Sequence, residues 1–173
     1  MAVTIRKLDT VRDRETLARL DLSVSGKRFA RAEVSGDQLS LWWVESEEPI
    51  ERRIQVDLQE TPWQTGWILE EDGCVRGFVC VGHIPWNARL VIYHFFVDRA
   101  HRGRGLGRVL LGRVLDMAKP LEAKTLWAET SNFNDAGIQA FQQLGFELCG
   151  LDTMLYRGTP REGEFGVSLA YLL

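Results

Sequence analysis

Cysteine and histidine are scarce in this 173-residue chain, with three of each: Cys74, Cys80 and Cys149, and His83, His94 and His101. An odd cysteine number at unrelated spacings gives no disulfide framework, and no pair sits at zinc-ligand spacing with a histidine. The expectation is a reduced protein without a structural metal. No apolar run approaches the ~18 residues that would span a bilayer. The opening MAVTIRKLDTVRDRE has no apolar core of the kind a secretory signal carries. A cytoplasmic protein with no membrane partner is therefore expected. Net charge is only −3, which argues against a general nucleic-acid binder.

What is present fits one soluble domain over residues 1–173. The composition is 45% hydrophobic and 26% charged, and the length suffices for a real core. The small net charge conceals an asymmetry. Between Glu33 and Asp72 stand 11 acidic residues against Arg52 and Arg53; between Asp98 and Arg113 stand five arginines against one aspartate. One segment suits a cation and the other an anion, unless both are simply solvated faces.

The periodicity places most elements. VTIRKL (3–8) alternates as a first strand, and 13–20 reads as a short helix. Residues 24–66, broken by Gly26, Gly36, Pro49 and Pro62, read as short helices and loops carrying Trp42, Trp43 and Trp63. TGWILEEDGCVRGFVCVGHI (65–84) is a hairpin turning at Asp72-Gly73. RLVIYHFFV (89–97) is the most continuous apolar run and reads as a central strand. Leu106, Leu110, Val114 and Met117 follow at helical spacing until Pro120. AKTLWAET (123–130) is a strand, 134–144 a helix closed by Gly145, and 146–156 and 166–173 the last strands. The order describes a mixed α/β domain.

Between the central strand and the following helix lies HRGRGLG (101–107). It is either a glycine-rich turn with solvated arginines or an anion cradle. A helix N-terminus exposes backbone N–H groups, and glycine lets a ligand approach them closely. A dinucleotide fingerprint would need a third glycine where Arg108 stands, and a Walker loop would need Gly-Lys-Ser/Thr, which is absent. What remains is R-x-x-G-x-G, spelled by Arg102, Gly105 and Gly107.

That motif after a strand, together with AETSNFNDAGIQAFQQLGFEL (128–148), resembles the GNAT superfamily of acyl-CoA-dependent N-acyltransferases. ETSNFND (129–135), LDTMLY (151–156) and the apolar C-terminal strand are similar to streptothricin acetyltransferases, which acetylate an amine on the antibiotic's β-lysine arm. The resemblance implies a GNAT-like α/β domain. It would have a mixed sheet of six to seven strands, splayed central strands and about four helices.

It also implies acetyl-CoA as acyl donor and a small-molecule amine as acceptor, joined in a ternary complex. A homodimer would be in keeping with the family. Phe95 and Val97 would pair with the pantetheine arm. The backbone of Arg102, Gly103, Arg104, Gly105, Leu106, Gly107 and Arg108 would hold the diphosphate. Asn134 and Phe141 would complete the coenzyme site, and Arg99, Arg104 or Arg108 would meet the 3′-phosphate. His94, Tyr93 and Glu129 are the candidate bases. Streptothricin acetyltransferases carry acidic residues where this chain has Tyr93 and His94. The family's usual thiolate-protonating tyrosine falls at Phe141, so Tyr156 or Ser131 becomes the candidate donor. The acidic, tryptophan-bearing segment would attract the cationic acceptor. Two other readings stay open: a coenzyme A-binding module with weak or regulatory activity, and a protein or peptide N-acetyltransferase.

Overall fold

The computed structural model describes residues 2–59 and 61–173. Its elements follow in the order β1 (Val3–Lys7), α1 (Arg14–Ala18), β2 (Val24–Ser35), β3 (Gln38–Arg52), β4 (Thr65–Glu71), β5 (Cys74–Ile84), β6 (Arg89–Val97), α2 (Leu106–Ala118), β7 (Thr125–Ser131), α3 (Asp135–Gln143), β8 (Glu147–Asp152) and β9 (Gly166–Leu172). Single 3₁₀ turns occupy Pro85–Asn87 and Arg99–His101. Seven strands form one mixed sheet in the order β1-β4-β5-β6-β7-β9-β8, and β2 with β3 form a separate ribbon. The α/β class and the strand number match the expectation. The described residues hold three α-helices where about four were expected.

The chain packs as two units. One is the chain through Leu22 with Ile54–Ala128 and Tyr171–Leu173; the other is Ser23–Arg53 with Glu129–Ala170.

In the first unit, β4, β5 and β6 are joined antiparallel, and β6 pairs parallel with β7. Ile68, Phe78 and Cys80 are fully or almost fully buried, and Leu8, Leu17, Leu20, Val56 and Trp63 pack against them. One helix face, Leu106, Leu110, Leu111, Val114 and Ala118, is buried, which is the spacing that puts apolar side chains on one stripe of α2. Close approach dictates Gly77. A Cβ there would lie 2.5 Å from the Phe96 carbonyl oxygen and 3.4 Å from Leu110. Gly77→Ala must therefore part β5 from β6. It is expected to destabilise the fold by about 2–4 kcal/mol, lowering Tm by roughly 5–10 °C in a thermal melt. An unchanged Tm would contradict this packing.

In the second unit, the ribbon corrects the reading of 24–66 as short helices and loops. β2 and β3 pair from Val24↔Arg52 to Ser35↔Gln38. They turn through Gly36-Asp37, with Gly36 at φ +58°. Glycine at the first of two central residues is the type II′ signature, which suits the twist of a hairpin. The ribbon's two faces are both partly solvated, so no clean apolar–polar alternation marks it.

Helix α3 begins at Asn134, whose Oδ1 accepts the Gly137 N–H at 3.0 Å. It ends in a Schellman motif. The Phe146 N–H reaches the Phe141 carbonyl and the Gly145 N–H that of Gln142, both at 3.0 Å, with Gly145 at φ +97°. Removing the cap by Asn134→Ala should cost about 1–2 kcal/mol in a denaturant melt. A smaller loss would show that the cap is dispensable.

Candidate active site

Of the coenzyme candidates, those from Phe95 to Arg108 lie in the first unit and Asn134 and Phe141 in the second; the first group starts from a fault in β6. Cys80 pairs with His94 and Val81 with Ile92, which leaves Tyr93 as a bulge. The parallel register with β7 ends at Ile92↔Ala128, and β6 runs five residues further, to Val97. Bulges re-aim side chains and end regular pairing, and they are common beside active sites. The Tyr93 ring lies over Gly82, where a Cβ would come within 2.9 Å of it.

His94 is 9% exposed and turns into the core. Its ring forms a triangle with those of Phe78 and Phe96, with centroids 6.3 and 6.5 Å away, and its Nε2 is 2.9 Å from the Thr61 hydroxyl. Burial pushes its pKa below the ordinary histidine range. Of the expected bases, His94 is the one enclosed by aromatic rings.

After β6, Asp98 fixes the loop. Its carboxylate accepts the N–H of Asp21 and of Ala100 and meets His101 Nδ1 at 3.0 Å. Burial alone would raise the Asp98 carboxyl, but these hydrogen bonds hold it below the usual carboxylate range. Arg102 folds back to donate from Nε to the Val97 carbonyl at 2.9 Å.

Gly103 and Gly105 take φ +74° and +83°, a region L side chains rarely adopt, and a Cβ on either would meet nothing within 4 Å. Gly105 is the N-cap of α2 and offers no side chain to its first N–H groups. Gly107 admits the Phe95 ring, 3.6 Å from where its Cβ would stand. The result is an open backbone cradle at a helix N-terminus, flanked by the exposed Arg108. Arg104 holds the buried Glu71 at 2.7 Å.

The proton-transfer candidates Glu129, Ser131 and Tyr156 lie in the second unit. Glu129 is half-buried near the end of β7. Gly166 makes room for it, since a Cβ there would lie 3.1 Å from the Glu129 carboxylate. Burial raises the Glu129 pKa, Asp152 raises it further by repulsion, and Arg161 opposes both. The Tyr156 hydroxyl is likewise raised by burial; Arg161 draws it down, and the charges of Glu129 and Glu164 push it up. The charge of Glu129 is thus one of those that reach the Tyr156 hydroxyl.

Ser131, the other donor candidate, gives its hydroxyl proton to Glu164 at 2.5 Å. Asn134 is engaged as a cap and donates to Thr130 Oγ1 at 2.8 Å. Phe141 meets Phe146 edge-on at 5.0 Å, the apolar contact that closes the Schellman turn.

The three tryptophans of the acidic segment separate. Trp63 is in the first unit's core, its indole donating to the Leu58 carbonyl at 2.7 Å. Trp43 lies under Arg28, 4.5 Å from the guanidinium. Trp42 is 41% exposed and lines a cleft of about 430 Å³ with Phe29, Arg31, Glu33 and Phe133. Asp98, Arg161 and Glu164 were not singled out by sequence reasoning. The only local signal was Asp98 directly ahead of a turn, a position where aspartate often caps backbone N–H groups.

Residues 36–146 match the acetyltransferase (GNAT) family. The chain belongs to that family. It is 33% identical over 168 residues to streptothricin acetyltransferase of Streptomyces lavendulae, covering 91% of this chain and 89% of that protein. The crystal structure of nourseothricin acetyltransferase superimposes with a TM-score of 0.89 at 33% identity over 99% of both chains. A Bacillus anthracis protein in complex with acetyl coenzyme A shares the fold, with a TM-score of 0.81 at 22% identity over 100% of this chain and 99% of that one. This GNAT protein is accordingly an N-acetyltransferase related to the streptothricin acetyltransferases. Among its described residues, no helix is long and apolar enough to cross a membrane.

Proposed function

We propose that this N-acetyltransferase moves the acetyl group of acetyl-CoA onto a primary amine of a small cationic molecule of the streptothricin type. The observation that carries the reading is similarity over nearly the full chain to an enzyme named for that antibiotic. The donor side is supported by the cradle. The backbone around Gly103, Gly105 and Gly107 can donate several N–H groups to a diphosphate. The end of β6, past its register with β7, can take the pantetheine arm as an added strand at Phe95 and Val97. Val97 offers only its second carbonyl lone pair, because Arg102 uses the first.

On the acceptor side, an ammonium must lose a proton before it attacks. Glu129 is our general base: it is half-buried, and its surroundings favour its taking up a proton. The amine nitrogen bonds to the acetyl carbon, and a backbone N–H group steadies the oxyanion. The C–S bond then breaks with its electron pair on sulfur. In this reading Tyr156 protonates the thiolate, the role that Phe141 cannot fill. Carboxylates at Glu129 and Asp152, with Glu33 beside Trp42 in the cleft, favour a cationic acceptor.

The test is thiol release from acetyl-CoA with a panel of streptothricin, lysine, polyamines and peptide N-termini. The reading predicts kcat/KM for streptothricin at least about 10²-fold above every other amine, a discrimination a polar site can deliver. Equal or faster turnover of peptides would overturn the acceptor class. No turnover with any amine, despite a thermal shift with acetyl-CoA, would favour a binding module instead.

A further inference from the structure

Tyr156 lies in residues 153–165, a run of turns without strand or helix to fix its ring. A buried carboxylate does that work. Glu164 is 8% exposed. Its Oε2 accepts from the Ser131 hydroxyl at 2.5 Å and from Arg161 Nη2 and Nε at 2.6 and 3.1 Å. Its Oε1 meets Arg52 Nη1 at 2.5 Å. Each arginine so held lies against an aromatic ring. The Arg161 guanidinium is 4.0 Å from the Tyr156 centroid, and that of Arg52 is 4.9 Å from Phe133, which stacks on Phe29 at 4.8 Å. Burial alone would raise the Glu164 carboxyl, but hydrogen bonds from Arg161 and Ser131, with the nearby arginine charges, keep it below the ordinary range. It stays anionic, and an anion with three donors is a rigid anchor.

We propose that Glu164 and Arg161 are positioning residues for proton delivery, Glu164 clamping the Arg161 guanidinium over the Tyr156 ring so that the hydroxyl is held for the departing thiolate. This rests on the reading of Tyr156 as proton donor. When the C–S bond breaks, sulfur keeps the electron pair and takes the hydroxyl proton. The phenolate left behind is reprotonated from solvent, the second proton of the attacking nitrogen leaves to water as the amide forms, and the proton taken up by Glu129 returns to solvent. The phenolate is half-buried and faces the negative charges of Glu129 and Glu164. Arg161 is the cation that opposes them. A lysine would supply the charge without the forked contact to Glu164.

Arg161 is 44% exposed at its side chain, so Arg161→Gln should fold, with a melting temperature as the check. We expect kcat to fall about tenfold, the scale of a disturbed proton transfer, with both KM values within twofold. The alkaline limb of the kcat–pH profile should move upward, because losing a nearby cation makes the phenol harder to ionise. Arg161→Lys should bring the limb back while recovering less than half of kcat. Glu164→Gln should likewise lower kcat, but its limb should not move upward, because the lost carboxylate charge is one that holds the hydroxyl up.

Tyr156→Phe separates the two ideas. If it keeps wild-type kcat, the donor reading itself fails. If it loses kcat while Arg161→Gln keeps both rate and limb, the positioning role alone fails. A slow Arg161→Gln enzyme with an unmoved limb would also overturn the positioning role, reducing Arg161 to scaffolding.

Discussion

Glu129→Gln is expected to lower kcat by about 10²–10³-fold while leaving the melting temperature within a few degrees, as loss of a general base does. The amide is nearly isosteric, so the room left by Gly166 still receives it. What disappears is the ability to take the ammonium proton. The pH profile is the sharper readout. Glu129 acts as a base only when ionised, so wild-type kcat/KM should rise with pH as that carboxyl deprotonates. Burial and the Asp152 charge place the limb above the ordinary glutamate range. In Glu129→Gln the limb should vanish. If the acid limb persists with a normal rate, the base is another group and the assignment fails.

Gly105→Val should raise KM for acetyl-CoA by about 10–10²-fold while kcat at saturation falls less than threefold, the pattern of a lost binding contact. The reason is conformational. A β-branched side chain cannot hold φ +83° without strain, although the space beside it is open. The loop must relax, and the N–H groups at the start of α2 then turn from the diphosphate position. Titration calorimetry with coenzyme A would report the same loss as weaker binding. Unchanged affinity would show that the diphosphate does not sit at this helix end. Gly105→Ala, milder in shape, should fall between the two.

Much of this was legible in the sequence because local chemistry and tertiary structure agree there. The Asp72-Gly73 turn, the apolar strand ending at Val97, and the helix after Asn134 with its stop at Gly145 each carry their own signal, and each stands where the pattern put it. The ribbon was obscured because a two-stranded ribbon buries neither face fully. Its long residues, Arg28, Arg31 and the tryptophans, blur the two-residue period, although Gly36-Asp37 was a usable turn signal. Trp63 of the acidic segment packs against the core and is tied by its indole, whereas Trp42 lines a cleft, a difference that composition cannot reveal.

The proton-transfer side was half legible. Glu129 and Tyr156 were candidates by type and position. His94 was too, yet its strand turns it inward against Phe78 and Phe96, and the bulge at Tyr93 sets that direction. Glu164 could not be found by pattern. Its partners, Arg52, Ser131 and Arg161, are far apart in sequence or unremarkable in spacing, and only folding brings them to one carboxylate.

Mass analysis of streptothricin incubated with this enzyme and acetyl-CoA tests the central claim most directly. The account predicts one added acetyl group on an amine of the β-lysine arm, formed in step with free coenzyme A and nearly abolished by Glu129→Gln. Unmodified antibiotic, with acetyl-CoA bound and the protein folded, would contradict it.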